Sequence, residues 1–179
     1  MIKTLPKRRK PLNRIFLMKK SLILLAALPC VALANVPIMG TVESKCVIQT
    51  DTSGVYGNPS PSELSTDSTD GGVKPIIRYD ILAADHYKAV ISYPNSFSSS
   101  PVLADVVNWT GDVTVGQTSD AGMSAFESGK IEYNNTVEFD LTIAGSVWFD
   151  VASTADYGYD KSFPAGDYTA MVTAECIAQ

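Results

Sequence analysis

Residues 131–143 read IEYNNTVEFDLTI, and this stretch decides the fold class because its apolar and polar residues alternate. Successive side chains of a β-strand point to opposite faces of the sheet, so a period of two is typical of a strand with one buried face. Asn134 and Asn135 interrupt the alternation. They leave two interpretations open, a pair of strands joined by a turn or one strand with a break. Both predict β-structure.

The same alternation recurs at both ends of the chain. The C-terminal phase predicts a final strand, and its members are Tyr168, Ala170, Val172, Ala174 and Cys176. The N-terminal phase contains Val36, Ile38, Gly40, Val42, Ser44, Cys46 and Ile48. Further strands are predicted over residues 73–82, 87–93, 102–109, 112–118 and 146–151. No segment of helical length carries an apolar stripe with the helical period.

Clusters of Gly, Pro, Asn and Asp separate these runs, for example at residues 70–72, 94–96 and 164–167. Short strands with turn signals between them are typical of an antiparallel sandwich, and we expect about 7–9 strands here. The predicted fold class is therefore all-β, an antiparallel immunoglobulin-like β-sandwich. Residues 50–72 are mostly polar, and they are predicted to form one surface loop.

The N-terminal 34 residues differ from the rest of the chain in charge. They contain eight Lys and Arg residues and no acidic residue, and an apolar run after Lys20 ends in Ala32-Leu33-Ala34. A basic flank, a short apolar core and an Ala-x-Ala ending predict a cleaved secretory signal peptide over residues 1–34. Met18 begins a complete signal by itself, which makes residues 1–17 a candidate over-assigned start. The apolar run is shorter than the roughly 20 residues of a membrane-spanning helix, so we expect no membrane span in the mature chain.

Residues 35–179 are predicted to form a single β-sandwich domain with a strongly acidic surface. This part contains six Lys and Arg residues against 19 acidic ones, a net charge of −13. Nucleic-acid binding depends on Lys and Arg contacts to phosphates, so nucleic acid is not expected among the partners.

Two cysteines remain after the predicted signal, because Cys30 leaves with it. They are Cys46 and Cys176. Exported proteins meet oxidising conditions, where paired cysteines form disulfides, and two cysteines allow one connectivity. A metal pair or a nucleophilic thiol would need partners, and the chain contains one histidine. We therefore predict a Cys46–Cys176 disulfide.

The residue pattern predicts no catalytic residue, metal site or cofactor, and hence no enzyme. A hydrolytic triad needs a base, and the sole histidine, His86, follows Asp85 directly, so in a strand their side chains would point to opposite faces. The paired carboxylates fall on the polar phases of predicted strands. They are Glu132, Glu138, Asp140 and Asp150.

Two binding alternatives remain open. Residues 67–71 (DSTDG) offer oxygen ligands and a glycine, but they lack the full spacing of a calcium loop. Trp109, Tyr157 and Tyr159 could stack on sugar rings, although aromatic residues on a sheet usually pack against one another.

Four residue sets together carry a resemblance to a known family. They are the alternating residues 36–42, the early Cys46-Val47-Ile48, the glycine-bearing loop around Gly57, and the ending FPAGDYTAMV at residues 163–172. Together they are similar to the chaperone–usher fimbrial subunits (pilins) of bacteria. The resemblance covers the two ends of the mature chain, while the middle matches by strand pattern alone.

The resemblance implies donor-strand exchange, in which a neighbour's N-terminal extension completes a subunit that lacks its last strand. It implies that Val36, Ile38 and Val42 are donor-strand plugs and that Gly40 lies where two backbones approach closely. It also implies that other fimbrial subunits or a periplasmic chaperone are the partners, in the periplasm, fimbrium or cell surface of a bacterium. The predicted function is a structural subunit of a fimbria or surface fibre.

Two features favour an alternative function. Only 11 residues, 35–45, lie between the predicted signal and Cys46, and the second cysteine lies in the predicted final strand. If these cysteines are bonded, the N-terminal strand is tied to its own domain and can complete it. The alternative is a self-complete secreted immunoglobulin-like binding domain, with carbohydrate as one candidate ligand.

Overall fold

Antiparallel β-strands form most of the structure, a computed structural model that describes Met39 and residues 46–179. The predicted all-β sandwich is confirmed, since two antiparallel sheets pack against each other and the described chain has one short α-helix. The predicted signal peptide, residues 1–34, lies outside the described residues, as do the predicted plugs Val36, Ile38, Gly40 and Val42.

The described chain has 12 strands, more than the sequence predicts, because several short strands lie within predicted loops or predicted longer runs. They are β1 (Cys46–Thr52), β2 (Gly57–Ser60), β3 (Glu63–Ser65), β4 (Ile76–Ile81), β5 (Tyr87–Ser92), β6 (Phe97–Ser99), β7 (Asn108–Thr118), β8 (Ile131–Tyr133), β9 (Thr136–Asp140), β10 (Gly145–Asp156), β11 (Thr169–Ala170) and β12 (Thr173–Ala178). The helix α1 is Phe126–Gly129, and 3₁₀ turns span Ser68–Asp70 and Ala121–Ala125.

The first sheet is organised around β10, a strand of 12 residues. One edge of β10 pairs with β7, and its other edge pairs with β4 in its first half and with β3 near its end. β1 extends the sheet beyond β4, and β2 extends it beyond β3. The second sheet has the order β12-β5-β9-β8, and β6 and β11 form a separate pair.

The core lies between the two sheets and is filled from alternate positions of their strands. Val147, Phe149 and Val151 of β10 are fully buried, while their neighbours along the strand are partly exposed. The Phe149 ring centroid lies 4.5 Å from that of Phe139 in β9 and 5.5 Å from that of Tyr79 in β4. Each large apolar side chain buried in this way contributes about 1.5–3 kcal/mol to folding.

The stretch 131–143 contains two paired strands, so the first of its two interpretations is correct. β8 and β9 are antiparallel neighbours joined at Asn134 and Asn135. Asn134 has a φ of 54°, a left-handed conformation that asparagine tolerates better than most residues. The break in the alternation therefore marks a hairpin turn.

The prediction of one surface loop over residues 50–72 is wrong. This segment contains the end of β1, the β2–β3 hairpin and the Ser68–Asp70 turn. The hairpin reaches the end of β10, where Thr154, Ala155 and Asp156 pair with β3. Its strands have three or four residues and a polar composition, so they lack the alternation that reveals longer strands.

The predicted strand 102–109 is also wrong over most of its length, because β7 begins at Asn108. Val102 and Val106 are 95% and 83% exposed. The Ala104 N–H donates to the Tyr157 hydroxyl at 2.8 Å instead of to a neighbouring strand. This apolar run therefore crosses the surface without entering either sheet.

Candidate functional site

β1 and β12 belong to different sheets, and a disulfide joins them. Cys46, the first residue of β1, is bonded to Cys176 of β12, with the two Cα atoms 6.4 Å apart. This confirms the predicted disulfide. The two cysteines are separated by 130 residues, so the bond ties the two ends of the described domain together.

The core is only partly covered where β1 and β12 meet. We call this region the β1–β12 seam, formed by the side chains of Cys46, Ile48, Val172, Ala174 and Cys176. All except Cys46 pack against the core while remaining partly exposed. In the adjacent strand β5, by contrast, Ala89 and Ile91 are fully buried. Among the described residues, the cover of the core is therefore incomplete at the seam.

The backbone of β12 has one edge that faces away from the second sheet. Beyond the end of β12, the Gln179 N–H donates to the His86 carbonyl at 2.9 Å. Backbone directions alternate along an antiparallel ladder, so the N–H and C=O groups of Ala174, Cys176 and Ala178 point away from β5. Among the described residues, β5 is the only strand that pairs with β12. The outward groups form an edge to which another strand can be added.

Tyr79 fixes β12 to the first sheet from inside the core. Its hydroxyl donates to the Glu175 carbonyl at 3.0 Å, and its side chain is fully buried. Burial raises the pKa of Tyr79, and the nearby Glu175 charge raises it further. The apolar phase of residues 73–82 places Tyr79 in a strand, but nothing in the sequence reveals its partner in β12.

A small hollow of about 140 Å³ lies at the N-terminal end of β12. Its wall includes Tyr93, Asn135, Met171 and Thr173. The Asn135 side chain donates to the Tyr93 carbonyl at 2.7 Å, and this fixes one wall of the hollow. Met171 is 65% exposed, so the hollow offers an accessible apolar contact next to the β12 edge.

The predicted final strand is divided in the structure. Residues 169 and 170 form β11 with β6 as partner, whereas β12 pairs with β5. Val172 lies between the two strands, because the chain changes its pairing partner there. The structure brings Val172, Ala174 and Cys176 to the seam, while Ala170 pairs with Phe97 in the β6–β11 pair. Tyr168 contacts Phe97, with ring centroids 5.1 Å apart.

The aromatic residues considered for sugar stacking lie in two different environments. The Trp109 ring centroid is 4.7 Å from that of Phe97, and Tyr157 is stacked on Phe163 at 5.1 Å. Tyr157 is 6% exposed, whereas Tyr159 is 91% exposed. Trp109 and Tyr157 therefore pack within an aromatic cluster, and Tyr159 projects into solvent.

The candidate calcium stretch caps a 3₁₀ turn. The Asp67 carboxylate accepts the Thr69 N–H and hydroxyl at 2.9 and 2.8 Å, and it lies 3.5 Å from the Lys74 ammonium. These contacts, the Thr69 hydrogen bonds above all, lower the pKa of Asp67. Within the described part of the chain, no group of three or more His, Cys, Asp and Glu residues is placed to hold a metal ion.

Comparison of the chain with family models, with curated proteins and with solved structures finds no match. In the part of the chain that the structure describes, no helix has the length and hydropathy needed to cross a bilayer. A functional assignment therefore depends on the seam and on the β12 edge.

Proposed function

We propose that this protein is an exported structural subunit of a fimbria or surface fibre, assembled by strand complementation at β12. The observation that carries the proposal is the outward edge of β12, which lies beside a partly covered core. Its partners would be other subunits and, before assembly, a periplasmic chaperone that covers the same edge. The disulfide is compatible with export to an oxidising compartment.

The edge and the seam together define the chemistry of the incoming strand. Backbone N–H and C=O groups would supply affinity, and alternate side chains would contact Val172, Ala174 and Cys176. Residues 35–45 have this pattern, with Val36, Ile38 and Val42 in one phase. Fully extended, 11 residues span about 36 Å, which exceeds the roughly 20 Å length of β12.

Gly40 lies in the same phase as these apolar residues. A residue without Cβ allows two backbones to approach closely, which an inserted strand needs at a constricted point. The proposal therefore assigns plug roles to Val36, Ile38 and Val42 and a close-approach role to Gly40.

The disulfide favours a second candidate function. The Cα atoms of Cys46 and Cys176 are 6.4 Å apart, so β1 begins beside β12, and residues 35–45 directly precede β1 in the sequence. They are long enough to return along β12 of their own chain. In that case the protein is a self-complete immunoglobulin-like binding domain, and no neighbouring subunit is required.

The variant Ala174→Pro tests the proposal on the full chain exported to an oxidising compartment. Proline at this position removes an N–H that points away from β5, so it blocks strand addition while the β5 ladder keeps its bonds. We expect wild type to form multimers by light scattering after size exclusion. We expect Ala174→Pro to be monomeric with the Cys46–Cys176 disulfide intact.

Glu175→Pro is the matched control, because the N–H of Glu175 points toward β5. This variant should lose stability, because it breaks a hydrogen bond between β5 and β12 that Ala174→Pro keeps. A folded Ala174→Pro protein that still forms multimers would contradict addition at β12. A folded, monomeric wild type at every concentration would favour the self-complete domain.

A further inference from the structure

In the first sheet, β10 is the only described strand that pairs with β7, so the other side of β7 is a sheet edge. The direction of the backbone groups of β7 follows from β10. In β10, the Val151 N–H donates to the Pro75 carbonyl, and the Ser153 carbonyl accepts the Thr66 N–H. The backbone N–H and C=O groups of Val151 and Ser153 therefore point away from β7. Val113 of β7 lies opposite Val151, and Val115 lies two residues further along. Because backbone directions alternate along the ladder, the N–H and C=O groups of Val113 and Val115 point away from β10, at the centre of the β7 edge.

Side chains form hydrogen bonds with three of these outward backbone groups. The Val115 N–H donates to the Glu127 carboxylate at 2.8 Å, and the Val113 N–H donates to the Asp112 carboxylate at 2.7 Å. The Val113 carbonyl accepts from the Lys130 ammonium at 3.3 Å. An added strand would need these same groups for its ladder, so it would have to displace three charged side chains.

Lys130 connects the carboxylates that cover the edge. Its ammonium lies 2.9 Å from Asp112, 3.1 Å from Glu127 and 2.8 Å from Glu132. The Lys130 side chain is 16% exposed, whereas its three carboxylate partners are 40–53% exposed, so solvent partly screens these ion pairs. We call Asp112, Glu127, Lys130 and Glu132 the Lys130 cluster.

A bulge interrupts the same edge. Trp148 is paired with Gln117 and Phe149 with Val115, so Gly116 has no partner of its own in β10. A bulge bends its strand and increases the local twist, and a twisted edge pairs poorly with a second strand. A Cβ at Gly116 would meet the Asp150 carboxylate at 2.7 Å, so a larger residue here would require that side chain to move.

We propose that the Lys130 cluster closes the β7 edge against pairing with the edge strand of a second copy of this chain. Strand addition is thereby directed to β12, which has no comparable cover among the described residues. The closure of the β7 edge goes beyond the function proposed above and is independent of it, because it concerns a different edge and a different set of side chains. Only the direction of strand addition to β12 rests on that proposed function.

The test compares full-length exported variants in the Ala174→Pro background, where β12 cannot accept a strand. Glu127→Ala with Lys130→Met removes the cover and the central cation of the β7 edge. We expect this variant to associate at a concentration at least about tenfold lower than Ala174→Pro alone, measured by sedimentation velocity. The matched control is Lys88→Met, which also removes an ion-paired lysine, at 2.7 Å from Glu138, but from a strand paired on both sides. A folded variant with an open β7 edge that remains as monomeric as the control would overturn the proposal.

A second measurement needs no association and uses single substitutions in the otherwise wild-type chain. Glu127→Ala should speed amide hydrogen exchange of Val115 about tenfold, whereas Glu127→Gln, which keeps an acceptor oxygen, should speed it less. Equal exchange of Val115 in wild type, Glu127→Ala and Glu127→Gln would show that the carboxylate does not cover this group, and the proposal would fail.

Discussion

The two sides of the sandwich are closed in different ways. On the β7–β8 side, the segment between the sheets places Met123 and Phe126 in the core, at 0% and 6% exposure, and the Lys130 cluster covers the strand edge. On the β1–β12 side, small and half-buried side chains meet, and a disulfide and the Tyr79 hydroxyl hold the sheets together. One side is closed by apolar burial and charge, and the other by a covalent bond that leaves an edge accessible.

This difference is the basis for proposing strand addition at β12. On the β7–β8 side, Met123 and Phe126 of the same chain already fill the space between the sheets. A side with half-buried Ala174 and Cys176 can gain further apolar burial when a strand is added. The disulfide holds the two sheets together at the seam, but it does not bury the half-exposed side chains there.

The largest effect is expected when the covalent closure of the seam is removed. Cys46→Ala with Cys176→Ala should lower the free energy of unfolding by about 5 kcal/mol, because the bond closes a loop of 130 residues in the unfolded chain. Urea unfolding of the exported protein measures the loss. Cys30→Ala is the control, and it should change nothing. A loss of less than about 2 kcal/mol would mean that noncovalent contacts hold the seam.

The next largest effect is expected on the opposite side. Phe126→Ala should cost about 3–4 kcal/mol, because it removes a buried ring and leaves a cavity between the sheets. Val102→Ala, at a side chain that is 95% exposed, should stay within about 0.5 kcal/mol of wild type. If both variants unfold at the same urea concentration as wild type, apolar burial does not close this side.

A smaller effect is expected for the hydrogen bond that crosses the core to β12. Tyr79→Phe should lower the free energy of unfolding by about 1 kcal/mol, because it removes the donor to the Glu175 carbonyl. Chemical unfolding at neutral pH measures this difference. Tyr159→Phe, at an exposed ring, should have no effect.

Tyr79→Phe should also change how the free energy of unfolding depends on pH. The folded-state pKa of Tyr79 is raised, so its contribution to stability is complete below the unfolded phenol value of about 10. It is lost as the pH rises above that value, because the unfolded phenol ionises and the buried one does not. Wild type should therefore lose stability more steeply than Tyr79→Phe above about pH 10. Parallel profiles for the two proteins would contradict the assigned burial of this group.

The sequence predicts the strands that have one buried face and misses those whose pairing depends on distant residues. Residues 87–93 and 112–118 alternate, and β5 and β7 cover nearly all of them. Residues 57–65 are polar and short, and they become strands because β10, about 90 residues later, offers a free edge. The run 102–107 is apolar but stays on the surface, where the Ala104 N–H bonds to a tyrosine.

The sequence likewise predicts some parts of the candidate site and misses others. The count of cysteines and the predicted export signal together predict the disulfide, and Ala174 and Cys176 fall in a predicted strand. Neither the contact of Tyr79 with β12 nor the contact of Lys130 with β7 has a sequence signal. The partner of Tyr79 lies 96 residues away, and the β7 partners of Lys130 lie 17 or 18 residues away. The plug roles of Val36, Ile38 and Val42 remain predictions.

The sequence by itself determined an all-β chain with a Cys46–Cys176 disulfide, because alternation and cysteine count are local or combinatorial properties. Only the tertiary structure decided which edges of the sheets are covered. Whether an edge is open depends on which side chains reach it from other elements, as Glu127 reaches Val115. That contact follows from the packing of two sheets, which no pattern along the chain expresses.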